Sequence, residues 1–508
     1  MAGDITEVGA SYSSSVGLVF IFNLIVGTGA LTMPSAFHNA GWLLSLILVL
    51  VLGFTSFLTV TFVIESMAAA NAILKARRIQ RRTSISAINE QVYPGNCNSD
   101  SDDSQEELET RPLLNNPNSG NHSTDIHKMD LFDISERVEM GQMAALFFNK
   151  IGLNLFYLCI IIYLYGDLAI YAAAVPKSVM DAACTYTGVV NGTGCNVSLT
   201  MDDPCWPSVQ IDRGNIYRVF VAAFCLLVGP FVFSNVQKTK YLQIFTTVMR
   251  WAAFIIMIVL AVIRLAKGKG QGHPPIVDFG GVPNLFGVCV YSFMCHHSLP
   301  SLVTPIANKS KLTNLFLGDF LLIGGFYCLL SFTGIYAFKD VNDLYTLNFS
   351  PNKCGTSEDA ITNLVFIEYF LILFPVFTLS TNFPIIAITL RNNLKAIGYR
   401  EDRSYPFIVD RVVFPLLALV PPIGIALATS DLGNLVGITG SYAGAGIQYV
   451  IPALLVFYAR KDTHNLFSHS IRNKHRSLFK HNIWILLVIA WAAVAIILVT
   501  VNHIMTGK

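Results

Sequence analysis

The stretch Asn23-Leu-Ile-Val-Gly27-Thr28-Gly29-Ala-Leu-Thr-Met-Pro34 lies inside a long apolar run, yet it holds the residues least suited to a continuous helix. A glycine costs a helix roughly 1 kcal/mol relative to alanine, and two of them with Pro34 downstream invite the backbone to open around Thr28. An opened helix bares carbonyls and amides, which a membrane tolerates only where protein buries them or a watery cavity hydrates them. Many secondary transporters build midplane binding sites from such discontinuous helices. The same glycines also fit a second reading, in which small residues let two membrane helices pack closely. Local sequence leaves both open.

Outward from this stretch, composition sets the medium. Of 508 residues, 53% are hydrophobic and 13% charged, with a mean hydropathy of +0.54. These values describe a polytopic membrane protein. A net charge of +2, with Lys and Arg scattered through loops, gives no footing to a nucleic-acid partner. Residues 1–15 carry no basic n-region, so the first apolar segment is expected to remain as a span and not to be cleaved as a signal peptide. Crossing the hydrocarbon takes about 20 residues, and eleven runs suffice, centred near residues 25, 53, 160, 226, 253, 293, 325, 375, 418, 446 and 492. The expected fold is therefore all-α, with eleven transmembrane helices.

Basic residues orient the chain. With the amino terminus cytoplasmic and the carboxyl terminus luminal, inner loops hold 23 of the 34 Lys and Arg and the outer loops and tail nine, as the positive-inside tendency asks. Residues 1–74 then form the cytoplasmic amino terminus and spans one and two, 137–480 spans three to ten, and 481–508 span eleven with a short luminal tail. Between the first two parts, residues 75–136 shift from basic to acidic with few apolar residues, and are expected to be a disordered cytoplasmic loop. Within it, Glu109-Thr-Arg-Pro-Leu113-Leu114 is similar to the acidic dileucine signal read by clathrin adaptors. That signal implies a lysosomal or late endosomal membrane, with the plasma membrane as alternative. Residues 177–215 are expected to be luminal, with glycosylation acceptors at Asn191 and Asn196 and cysteines at 184, 195 and 205. With Cys354 these permit two disulfides whose connectivity stays open.

Span six reads Gly287-Val-Cys-Val-Tyr-Ser292-Phe-Met-Cys-His296-His-Ser-Leu-Pro300, which places polar residues and a proline in mid-membrane five spans after the first odd helix. Two interrupted helices at that spacing predict an inverted repeat with a site at its interface. His296 is a candidate for lining that site, against the alternative of a satisfied structural histidine; His297 reads as structural. Span eight carries Thr378, Ser380, Thr381 and Asn382, whose polar groups need partners in hydrocarbon. A sodium ion held by Asn23, Thr381 and Asn382 is one solution, and hydroxyls bonding back to their own helix is the other. Asp167 lies deepest among the acids and is the proton-relay candidate, its alternative being a hydrogen bond to a tyrosine. Glu65, Asp319, Glu368 and Asp410 fall nearer span ends and read as interfacial.

Phe22-Asn23 through Gly27-Thr28-Gly29 resembles the first-span signature of the amino acid/auxin permease family, particularly its sodium-coupled neutral amino acid transporters. Phe293-Met-Cys295-His296 is similar to the Phe-x-Cys-His element of that group, and Gly440-Ser441 to the Gly-Ser element of its tenth span. The resemblance covers essentially the full length outside the loops. It implies a leucine-transporter-like 5+5 inverted repeat plus one extra helix, and amino acid transport coupled to Na+ or H+. Amides near Gly27, Thr28 and Gly29 would hold the substrate carboxylate, with Ser292 and His296 beside it. Asn23, Thr381 and Asn382 would form the ion side, although that group has threonine two residues before proline where this chain has Asn382 before Pro384. An amino acid sensor signalling through 75–136 with little transport is the first rival, and a channel the second; a channel needs a continuous polar lining that these spans lack. Nucleophile–base pairs and metal-ligand spacings such as His-Glu-x-x-His are missing from the sequence, so neither an enzyme nor a metal beyond Na+ is expected.

Overall fold

The computed structural model describes residues 12–91, 131–186, 199–233, 240–351, 362, 364–397, 405–467 and 472–506. Asn191, Asn196, Cys195, Cys354, Glu109, Leu113 and Leu114 lie outside the described residues.

In chain order, α1 (Ser14–Ile25) and α2 (Thr28–Ala40) meet at a bend and are followed by the long α3 (Trp42–Gln91). A short α4 (Met140–Phe147) leads into α5 (Lys150–Ala183). Two strands, β1 (Pro204–Trp206) and β2 (Val209–Asp212), form an antiparallel hairpin before α6 (Arg213–Val228) and α7 (Lys240–Ala266). Next come α8 (Val282–Ser292), the short α9 (Leu299–Val303), α10 (Leu312–Ala337) and α11 (Val365–Ile397). The chain closes with α12 (Phe414–Ala428), α13 (Leu432–Thr439), two π-helical turns at 440–450, α14 (Ile451–Leu466) and α15 (Asn482–Thr506).

Among the described residues nine helices are long and apolar enough to cross a bilayer, and α1 with α2 makes a tenth if the bent pair is one span. The helical, multi-pass class matches expectation; the count of eleven does not follow. The eleventh expected span, centred near 293, is broken: α8 has 11 residues and α9 five, too short to be counted alone. Interrupted helices thus stand at the first and sixth positions, where the repeat reading required them.

Two other expectations are corrected. The segment 75–136 is ordered at both ends: α3 runs on to Gln91, and Leu131, Phe132 and Ile134 are buried in the core. Reciprocal bonds fix the second end, since the Asn71 amide donates to the Glu136 carbonyl at 3.1 Å and accepts from the Glu136 N–H at 3.0 Å. Of the cysteines in 177–215, Cys184, just past the end of α5, pairs with Cys205 of β1. Asp319 is not interfacial either, being fully buried within α10.

Glycine sets the closest helix contacts. A Cβ on Gly287 would lie 1.9 Å from the Gly437 carbonyl oxygen, and one on Gly440 1.9 Å from that of Gly287, so α8 touches the 437–441 backbone directly. This close approach holds the interrupted sixth helix against the tenth span.

Candidate functional site

The first helix opens where its sequence is weakest. Gly27 leaves the helical region (φ −121°, ψ −138°), α2 begins at Thr28, and the two axes diverge by 55°. A Cβ on Gly27 would meet nothing within 4 Å, whereas one on Gly29 would lie 2.8 Å from Cα and 2.3 Å from Oγ of Ser292. Both readings of the glycines therefore hold, one at each residue: Gly27 marks the opening, and Gly29 lets α2 touch α8.

The last carbonyls of α1 and the first amides of α2 have no partners within their own helices. The carbonyls are taken up by two side chains that no local pattern indicated. Arg250 of α7 donates through Nη1 to the Asn23 carbonyl at 2.6 Å and the Val26 carbonyl at 3.1 Å. The fully buried Tyr327 of α10 places its hydroxyl 3.1 Å from the Ile25 carbonyl and 2.8 Å from the Ser292 carbonyl, where α8 ends. One phenol thereby ties the two helix breaks together.

The amides of Thr28 and Gly29 are different, because their cap residue is Gly27 and offers no side-chain acceptor, while the Ala30 N–H is taken by the Gly27 carbonyl at 3.2 Å. Beside them lie hydroxyls in the same condition. Thr28 is 3% exposed and Ser292 1%, and neither hydroxyl has a hydrogen-bond partner among the described residues; the buried Ser441 hydroxyl, likewise without one, lies further along α8 against Gly287. The Tyr171 phenol approaches Thr28 without a bond of ordinary length and angle. Buried polar groups without partners are rare. At a helix amino terminus, the Thr28 and Ser292 hydroxyls suit a ligand carrying a carboxylate.

His296, in the turn between α8 and α9, is completely buried and its Nε2 lies 2.9 Å from the Thr59 hydroxyl of α3. The structure thus gives one face of the ring to a structural contact. His297 packs its ring on Tyr163 at 5.6 Å between centroids. On α5, Asp167 accepts a hydrogen bond from the Tyr291 hydroxyl of α8, so the tyrosine partner is real but comes from across the site. Asp319 is more unusual, since both of its carboxylate oxygens are buried without a partner among the described residues.

Two residues of the ion side, Asn23 and Thr381, bond within the protein in this conformation. The Asn23 amide donates to Thr247 at 2.9 Å, and its carbonyl is occupied by Arg250. Thr381 bonds back to the Thr378 carbonyl of its own helix at 2.9 Å, the alternative weighed for span eight. Asn382 is half-buried on α11. The Arg250 guanidinium faces the opened carbonyls. In this conformation Arg250 takes up the backbone carbonyls of Asn23 and Val26 that the sodium reading would give to the ion.

Comparison with known sequences shows the family. Residues 12–80 and 136–501 match the family described as "Transmembrane amino acid transporter protein". The chain is 54% identical to transmembrane protein 104 of Homo sapiens, across 100% of this chain and 99% of that protein, and equally identical, with the same coverage, to that of Gallus gallus. A homolog from Drosophila melanogaster is 43% identical over 98% of each chain. With two interrupted helices facing each other across unpartnered buried hydroxyls, the chain belongs to the transmembrane amino acid transporter family.

Proposed function

We propose that the protein is a secondary transporter that binds an amino acid between the helix breaks and couples its movement to protons. The carrying observation is the amino terminus of α2, without a side-chain cap, beside the unpartnered Thr28 and Ser292 hydroxyls. An α-carboxylate would accept from the amides near Thr28 and Gly29, and a zwitterion's ammonium would find acceptors in the hydroxyls and the free carbonyl lone pairs at the end of α8.

Arg250 favours protons over sodium. Its tethered charge balances the carbonyl dipoles of α1, work that a sodium ion would otherwise do. A second cation there would meet both an occupied site and a like charge. Of the buried carboxyls, Asp167 and Asp319 lie well inside their helices and are the ones to take up and release a proton. Asp319, with no donor to its oxygens among the described residues, is suited to the neutral acid in this conformation, because a buried carboxylate left unpaired is strongly disfavoured.

Counterflow of a labelled amino acid panel in proteoliposomes tests the reading. Exchange is expected for at least one amino acid, accelerated by a pH gradient and unchanged when choline replaces sodium. Asp167→Asn or Asp319→Asn should flatten the pH dependence. Dependence on sodium would defeat the role given to Arg250, and no exchange with any amino acid would defeat transport itself.

A further inference from the structure

The segment Arg472–Lys480, joining α14 to α15, forms no regular helix or strand, yet it is pinned to α3. The Asn473 amide donates to the Glu65 carbonyl at 3.2 Å, the Ser477 hydroxyl lies 2.7 Å from that of Thr61, and the Ser477 N–H donates to the Glu65 carboxylate at 3.1 Å. From α14, Arg460 grips the same carboxylate at 2.7 and 2.9 Å and also donates to the carbonyls of Phe479 and Lys480. These bonds hold open a cavity of about 770 Å3, within the range of small-molecule sites.

The walls of this cavity are basic. Arg460, Arg472, Lys474, Arg476 and Lys480 line it, and the one acid, Glu65, is already engaged by Arg460 and the Ser477 N–H. Among the described residues Arg472, Arg476 and Lys480 enter no ion pair, and all three are exposed. The buried rings of Phe132 and Phe467 give an apolar floor. Basic residues spread along an inner face are what the positive-inside tendency produces; it does not call for cations gathered around one preformed concavity. Leu478, 65% exposed on the rim, and Ile483 and Leu486, both 67% exposed at the start of α15, place the opening at a bilayer boundary.

We infer that the cavity binds the headgroup of a membrane lipid that carries phosphate monoesters. Arg472 and Arg476 supply planar paired donors that match phosphate oxygens, and Lys474 and Lys480 add charge. The site is separate from the helix breaks and holds whatever the transported substrate is.

Anisotropy of a fluorescent short-chain phosphatidylinositol bisphosphate, titrated with the purified full chain in detergent, tests this. Saturable binding that weakens with salt is expected, displaced poorly by short-chain phosphatidylserine or inorganic pyrophosphate. Each charge removed should weaken it roughly fivefold, so the triple change Arg472→Gln, Lys474→Gln, Arg476→Gln should cost on the order of a hundredfold. Lys311→Gln, a basic position outside the cavity, should bind as the unaltered protein does. If the triple variant melts early, the single change Lys480→Gln, with its fivefold loss, decides instead. Unchanged binding in these variants, or equal displacement by phosphatidylserine, would overturn the site. Pyrophosphate competing as strongly as the lipid would overturn the lipid as its source.

Discussion

Gly27 and Gly29 share a side chain of nothing but hydrogen, yet they answer different physical needs. At Gly29 a methyl group would strike the backbone of Ser292, while at Gly27 it would project into open space. Gly29→Ala is therefore expected to lower expression and thermal stability sharply, as overpacking of a helix contact does. Gly27→Ala should fold and melt normally but transport poorly, because its methyl enters the space where substrate is proposed to sit. Size-exclusion profiles and counterflow on the two variants separate these outcomes. Tyr327→Phe leaves the carbonyls of Ile25 and Ser292 without their shared donor and should destabilise the protein by about 1–3 kcal/mol, read by thermal melting in detergent. The glycines were legible because a helix breaker acts on its own neighbours. Arg250, Tyr327 and Tyr291 were not, since each acts on residues far along the chain and nothing in its local pattern marks it. Asp319 misled for a related reason: position within a span suggested an interface, but packing on all sides buried it.

Among the elements, α3 departs furthest from its sequence reading. The charged run after Lys75 suggested disorder, yet Ala, Ile, Leu, Lys, Arg and Gln are good or tolerable helix formers, and a helix already nucleated in the membrane extends by adding one bond per residue. Its middle is braced by Glu65, whose side chain is 4% exposed and paired with Arg460. Removing one partner of a buried ion pair leaves the other uncompensated, so Glu65→Ala should cost roughly 3–5 kcal/mol. The loss should appear as a lower melting temperature that adding Arg460→Met partly restores. The sixth helix was better foretold, because Pro300 and the adjacent histidines advertise an interruption that the chain then makes.

For the whole molecule, orientation is the property on which the most depends. The Cys184–Cys205 bridge suits an oxidising compartment, and the acceptors Asn191 and Asn196 fall in the same stretch. Glycosidase treatment is expected to increase the mobility of the unaltered protein and to leave the Asn191→Gln, Asn196→Gln double variant unchanged. No shift in either protein would reverse the assigned orientation, and with it the side on which the basic cavity opens. Arg250 bears on the electrical behaviour of the full cycle. A metal ion that balanced the carbonyls of α1 would have to travel with each substrate and be released with it, whereas a guanidinium on its side chain stays with the carrier. Under the proposed mechanism the charge carried with a zwitterion is then the proton's alone. Each turnover should pass one elementary charge, and a membrane potential of about 100 mV, worth roughly 2.3 kcal/mol, would by itself sustain an amino acid gradient on the order of fiftyfold.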